Sequence, residues 1–142
     1  MIERPRILIV AATFYRDIAD SLIAGAKAAM PDCDVELIEV PGAFEIPAAI
    51  SMADRSDMPF DGYVALGCVI RGETSHYDYV CGESARGLMD LSLAGIPIGY
   101  GILTVENREQ AEVRAGKKNK GKDAAEACLA MLALSRRYEV PA

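Results

Sequence analysis

The chain carries a single histidine, His76, and it closes the segment Arg71-Gly72-Glu73-Thr74-Ser75-His76. A glycine, two hydroxyls and the amides of a helix about to start are the ingredients of an anion site, with the charge of Arg71 beside them. An imidazole in the first turn of that helix can exchange protons with whatever the anion site holds, because its ordinary titration falls near neutral pH. Two other short clusters, Thr13-Phe14-Tyr15 and Pro41-Gly42-Ala43-Phe44-Glu45-Ile46-Pro47, add aromatic faces and a carboxylate, and Tyr100 adds another ring. Aromatic faces with a few orienting polar groups make a pocket for a small planar molecule.

Each of these residues also has a plainer explanation. Phe14 and Phe44 can be core aromatics that close a sheet edge. Glu45 can complement the dipole of a helix first turn. Thr74 or Ser75 can be an N-cap, with Ser75-His76-Tyr77-Asp78 as a weak capping box. A lone histidine is more often a satisfied structural side chain than a catalyst. Cys68 reads as a small buried residue rather than a nucleophile, since no base lies at a suitable local spacing. Joint placement decides between the two sets of explanations.

Two hydrophobic periods alternate along the chain. Ile7 to Ala12, Val35 to Val40, Tyr63 to Ile70 and Ile98 to Thr104 are short apolar runs expected of strands, the first and third buried on both faces. Between and after them, Ile18 to Met30, Ile46 to Ala53, Tyr77 to Ala94, Glu106 to Arg114 and Lys122 to Tyr138 have helical spacing. Pro31, Pro41-Gly42, Gly95 with Pro97, and the break from Gly116 to Gly121 punctuate them. Strands alternating with helices predict an α/β fold: a three-layer αβα sandwich around a doubly wound, flavodoxin-like, four-stranded parallel sheet in the order 2-1-3-4. Ligands sit beyond the carboxyl ends of the strands in such folds. The clusters at Phe14, Phe44 and His76 follow strands one, two and three, so they converge on one sheet edge, and Tyr100 is expected to join them from strand four.

Composition narrows the chemistry. The 142 residues suit one domain spanning 1–142, and the formal net charge of -6 disfavours nucleic acid. Lys117, Lys118, Lys120 and Lys122, close to Arg114, are the local exception: a solvated loop, or an attractor of a small anion. Cys33, Cys68, Cys81 and Cys128 form no C-x-x-C pair, and one histidine leaves no second imidazole for a zinc site, so free thiols in a reducing cytoplasm are expected. No signal peptide is expected in Met1 to Arg6, and no apolar run is long enough to span a membrane. Neither G-x-x-x-x-G-K-[ST] nor G-x-G-x-x-G follows the first strand, against an NTPase or a dinucleotide enzyme.

Val40 to Pro47, then Ala65 to Val80, then Gly101 to Asn107 with Glu109-Gln110-Ala111 and Arg114-Ala115-Gly116, closely resemble the 6,7-dimethyl-8-ribityllumazine synthase family, in order over nearly the whole chain. The resemblance implies a cofactor-free transferase of riboflavin biosynthesis. Its two small-molecule substrates are a ribitylamino-uracil diamine and 3,4-dihydroxy-2-butanone 4-phosphate. It implies that Phe14 stacks on the pyrimidine, that Ala43, Phe44 and Glu45 hold ring and ribityl chain, and that Cys68, Val69 and Ile70 make backbone contacts to the pyrimidine. Glu73 and Thr74 match the phosphate loop, His76 the proton donor, and Arg114 a phosphate-binding arginine supplied by a neighbouring subunit. Tyr100 stands where the family usually has Phe.

The implied assembly is a homopentamer with active sites at subunit interfaces. Two departures bear on it: few residues precede the first strand, and the loop after Arg114 is short. The expectation is a free pentamer, with larger shells left open. A non-catalytic binder of a lumazine or flavin is the alternative, and the presence of Thr74, His76 and Arg114 argues against it.

Overall fold

The computed structural model describes residues 4–139, so the expectation for the N-terminus lies partly outside the described residues. The strands are β1 (Arg6–Ala12), β2 (Asp34–Val40), β3 (Gly62–Ile70) and β4 (Ile98–Val105). The helices are α1 (Arg16–Ala28), α2 (Ile46–Asp54), α3 (His76–Leu93), α4 (Arg108–Ala115) and α5 (Lys120–Arg137), with a 3-10 turn at Ala43–Glu45 ahead of α2. All strand pairs are parallel, in the order β2-β1-β3-β4. This is the α/β, flavodoxin-like arrangement that the alternating periods predict.

The sheet explains the composition of its strands. β1 and β3 are central, and their residues are buried almost without interruption. β2 lies at one edge and alternates between half-buried and exposed positions, so it tolerates Asp34, Glu36 and Glu39. One face of the sheet, through Ile7, Ile9, Val64, Leu66 and Leu103, packs against α1, α4 and α5. The other, through Leu8, Val10, Tyr63, Ala65 and Ile102, packs against α2 and α3. Two dry layers removed from water supply the main driving force for this fold.

Several element ends differ from the sequence expectation, each for a local reason. α5 begins at Lys120, not Lys122, so Gly121 belongs to the helix and not to the break. A Cβ at Gly121 would fall inside the Leu22 carbonyl oxygen, with the Leu22 carbonyl carbon at 2.9 Å, so glycine there lets α5 approach the α1 backbone. Asn119 caps α5 in the left-handed conformation, at φ 49, and its Oδ1 accepts from the Lys122 N–H. α1 ends at Ala28, two residues before Met30: the N–H groups of Ala29 and Met30 turn back to Ala26 and Lys27, tightening the last turn before Pro31 is reached. α4 begins at Arg108 because Asn107 is its cap. Its Oδ1 accepts from the Gln110 N–H at 2.9 Å while Gln110 Oε1 accepts from the Glu106 N–H at 2.8 Å.

Candidate active site

Three strand ends build one cavity. Beyond β1, the Thr13 N–H donates to the Val40 carbonyl at 3.1 Å, which ties the β1–α1 turn to the end of β2. Phe14 then projects with 74% of its surface exposed, its ring edge-on to Tyr15 at a centroid distance of 4.9 Å. Beyond β2, Pro41-Gly42 leads into the 3-10 turn. Glu45 Oε1 accepts from the Gly42 N–H at 3.0 Å, and Phe44 is 55% exposed. Neither phenylalanine is the core aromatic that the plainer explanation would make of it.

Beyond the reach of β1, the end of β3 offers its backbone. The β1–β3 register stops at Ala11–Leu66, whereas the β3–β4 register continues to Ile70–Val105. Cys68, Val69 and Ile70 are therefore paired on their β4 side alone, and their groups facing β1 have no strand partner. Such amides and carbonyls can recognise the polar edge of a planar ring. The Cys68 thiol is pushed up to about 11 by burial, so it stays protonated at neutral pH and is not a nucleophile.

These groups surround a cavity of about 550 Å³. Phe14, Ala43, Phe44, Glu45, Cys68, Val69, Ile70 and His76 all line it, so eight of the expected site residues come together. Tyr15, from the first aromatic cluster, and Val80, at the end of the segment that resembles the family, also line it, without a role assigned to either from the sequence. Val80 lies four positions after His76, one helical turn along the same face of α3, and that spacing was the available signal.

His76 is the first residue of α3 and is exposed at the cavity rim. Its backbone N–H donates to Thr74 Oγ1 at 3.3 Å. Ser75 occupies the N-cap position without a side-chain cap bond, and Asp78 turns to Arg71, so the expected capping box is absent. Arg71 itself is committed: its Nε lies 2.7 Å from Glu106, its Nη1 3.5 Å from Asp78, and its guanidinium 4.3 Å above the Tyr77 ring. The sequence placed Arg71 as the cation beside the anion turn. The two carboxylates that join α3 to the end of β4 take up that charge instead.

Glu73 and Thr74 are exposed in the β3–α3 loop and do not line the cavity. Arg114, in the last turn of α4, is half-buried and donates from Nη1 to the Gln110 carbonyl at 3.2 Å. It makes no ion pair among the described residues and does not line the cavity of its own chain. Of the neighbouring lysines, Lys120 pairs with Asp123 at 3.3 Å, and Lys117, Lys118 and Lys122 are exposed.

Tyr100 departs from expectation most clearly. It pairs with Ala65 near the start of β4, five residues before the strand ends, so it does not reach the carboxyl edge. It shares the α3 side of the edge strand with Ile98 and Ile102, two residues away in each direction, 45% exposed and beside Ser84.

The chain matches the model of the family described as 6,7-dimethyl-8-ribityllumazine synthase over residues 4–136. It is similar to the 6,7-dimethyl-8-ribityllumazine synthase of Novosphingobium aromaticivorans, 57% identical over 137 residues that cover 94% of this chain and 98% of that one. The proteins of the same name from Bartonella tribocorum and Methylorubrum extorquens are 52% and 56% identical, covering 97% and 92% of this chain and 95% and 81% of theirs. No helix among the described residues is long and apolar enough to cross a membrane.

Proposed function

The chain belongs to the 6,7-dimethyl-8-ribityllumazine synthase family, and from that premise we propose how its own residues divide the work. The enzyme condenses 5-amino-6-(D-ribitylamino)uracil with 3,4-dihydroxy-2-butanone 4-phosphate. The products are 6,7-dimethyl-8-ribityllumazine, phosphate and water, in the penultimate step of riboflavin biosynthesis. The observation that supports this best is the cavity itself. It combines two exposed phenylalanines, a carboxylate, one imidazole and a strand end with open backbone groups.

In this reading the pyrimidine lies against Phe14 and is recognised by the backbone of Cys68, Val69 and Ile70. Ala43, Phe44 and Glu45 hold the ring and the ribityl chain. The diamine's primary amine attacks the ketone, the carbinolamine loses water, phosphate is eliminated, and the second amine closes the ring. Holding two reactants in contact supplies a large part of the acceleration. His76, at the cavity rim, carries protons to and from the reacting oxygens and nitrogens. Departing phosphate needs a cation, and Glu73, Thr74 and the amides of the loop shape its seat.

Arg71 is neutralised within the fold, and Arg114, which matches the family's phosphate-binding arginine and makes no ion pair among the described residues, is the cation proposed for that phosphate. Neither Arg114 nor Tyr100 lines the cavity of its own chain, so both serve only if a neighbouring copy presents them. We therefore propose a homopentamer as the working unit, with sites shared between subunits and no further assembly required. The four free cysteines fit a reducing cytoplasm.

Subunit mixing tests the shared site. Arg114→Ala nearly abolishes turnover, and Phe14→Ala weakens it. Mixing the two inactive or weak variants and reassembling them restores sites that draw an intact Phe14 from one subunit and an intact Arg114 from the next. Recovery of activity above either parent supports the reading. A monomer by light scattering at assay concentration, or an unimpaired Arg114→Ala enzyme, overturns it.

A further inference from the structure

The turn that carries Phe14 is tied to β2 by one backbone hydrogen bond, Thr13 N–H to the Val40 carbonyl, and the helix start that follows Phe14 has no side-chain cap. Tyr15 occupies the N-cap position of α1 with no side-chain cap bond, and the Phe14 ring touches only Tyr15 among the aromatics. A large exposed side chain on an uncapped helix start would sample several positions. Two ion pairs grip the first turn of α1 from opposite sides. Arg16 makes a two-pronged pair with Glu39, near the end of β2, Nη1 to Oε2 at 2.6 Å and Nη2 to Oε1 at 3.2 Å. Asp17 pairs with Arg108, the first residue of α4, which also lies 3.3 Å from Glu112. One grip comes from the β2 edge of the sheet and the other from beyond β4, and the two residues being gripped follow Phe14 and Tyr15 directly.

We infer that Arg108 and Glu39 are positioning residues for the Phe14 ring: through Asp17 and Arg16 they fix where α1 begins and so hold the aromatic platform over the cavity. They touch no substrate themselves. The consequence for turnover rests on the ring-stacking role proposed for Phe14, whereas the consequence for the position of Phe14 does not. Geometry favours this role over a purely stabilising one. Exposed ion pairs add little stability, yet both act on the turn that presents the most exposed aromatic side chain lining the cavity. A planar guanidinium held by two carboxylate oxygens, as between Arg16 and Glu39, also fixes direction, which a point charge does not.

The chain contains 3 phenylalanines, so 4-fluorophenylalanine labelling of the assembled enzyme gives three 19F resonances, assignable with Phe→Leu variants. Arg108→Gln and Glu39→Gln are each expected to shift or broaden the Phe14 resonance and leave those of Phe44 and Phe60 in place, and Arg108→Lys restores most of the parent spectrum. In steady-state kinetics Arg108→Gln raises KM for the pyrimidine about two- to fivefold, the size of one exposed ion pair, with KM for the phosphate ester unchanged. In a Phe14→Ala background the same substitution has no further effect, because the group it positions is gone. An unmoved Phe14 resonance in both Arg108→Gln and Glu39→Gln overturns the proposal, as does an equal KM effect with and without the Phe14 ring. A displaced Phe14 resonance alongside an unchanged KM in Phe14→Ala supports the brace and overturns the stacking role.

Discussion

Replacing Phe14 with alanine separates a functional aromatic from a structural one. A buried phenylalanine cut back to alanine costs about 3–5 kcal/mol of stability. Phe14 keeps 74% of its surface in water and has one aromatic partner, Tyr15, edge-on at 4.9 Å. Truncation removes only this exposed edge-to-face pair, worth about 1 kcal/mol or less. The folded state therefore barely registers the change. The complex does register it, because stacking an aromatic side chain on a heterocyclic base contributes about 1–3 kcal/mol. That corresponds to a roughly 5- to 150-fold rise in KM for the pyrimidine. The assay is steady-state kinetics with the phosphate ester saturating, alongside a denaturant titration of the same preparation. Phe60 supplies the converse control, since it packs under the Arg6 guanidinium at 4.4 Å and edge-on to Tyr63 at 5.9 Å, away from the cavity. Phe60→Ala lowers stability and leaves KM alone. A Phe14→Ala enzyme that is several kcal/mol less stable with an unchanged KM would make Phe14 a structural aromatic and not a ring-stacking one.

Three further outcomes follow from other parts of the molecule. Gly121→Ala forces α5 away from the Leu22 backbone and costs about 1–3 kcal/mol or more, visible as a lowered melting temperature; an unchanged melt contradicts the close approach. Stability declines in alkali. Burial raises the Cys68 thiol from 9.0 to about 11, the Cys128 thiol from 9.0 to about 12 and the Tyr63 phenol from 10.0 to about 12. Above pH 9 the unfolded chain loses these protons first, so their contribution is complete below that value and lost as pH rises toward 11 and 12. Denaturation midpoints measured from pH 7 to 11 should hold steady and then fall, and a flat profile to pH 11 contradicts the burial of these groups. His76→Ala lowers kcat by about 10²-fold or less, a proton-transfer contribution laid over intact substrate positioning, whereas Arg114→Ala nearly abolishes turnover; pre-steady-state measurement of phosphate release ranks the two, and the reverse order contradicts the roles proposed for them.

The sheet was legible because its central strands, Ile7 to Ala12 and Tyr63 to Ile70, are buried on both faces and so read as unbroken apolar runs. Placing residues after strands then brought Phe14, Phe44, Glu45 and His76 together without any knowledge of distances. What was illegible depends on register and on partners distant in sequence. Tyr100 belongs to β4, and only the pairing with Ala65 reveals that it sits five residues before that strand's carboxyl end, away from the cavity of its own chain. Arg71 has the right type and position for an anion site, but Glu106, 35 residues away, takes up its charge. Gly121 reads as a break because glycine commonly ends helices, and only the approach of the Leu22 backbone shows why it sits inside one. The brace on α1 was equally hidden, since Asp17 and Arg108 stand 91 residues apart.

This cavity, completed by a neighbouring copy, is expected to make a lumazine from its two substrates without a cofactor. The most direct measurement mixes the purified protein with 5-amino-6-(D-ribitylamino)uracil and 3,4-dihydroxy-2-butanone 4-phosphate, follows lumazine fluorescence, and quantifies inorganic phosphate in the same samples. A protein-dependent rise in fluorescence is expected, with one phosphate released per lumazine formed, and both rates are expected to fall nearly to that of the substrates alone in Arg114→Ala. Tight binding of the lumazine with no acceleration over the substrates alone would contradict the claim, and would make the protein a ring binder.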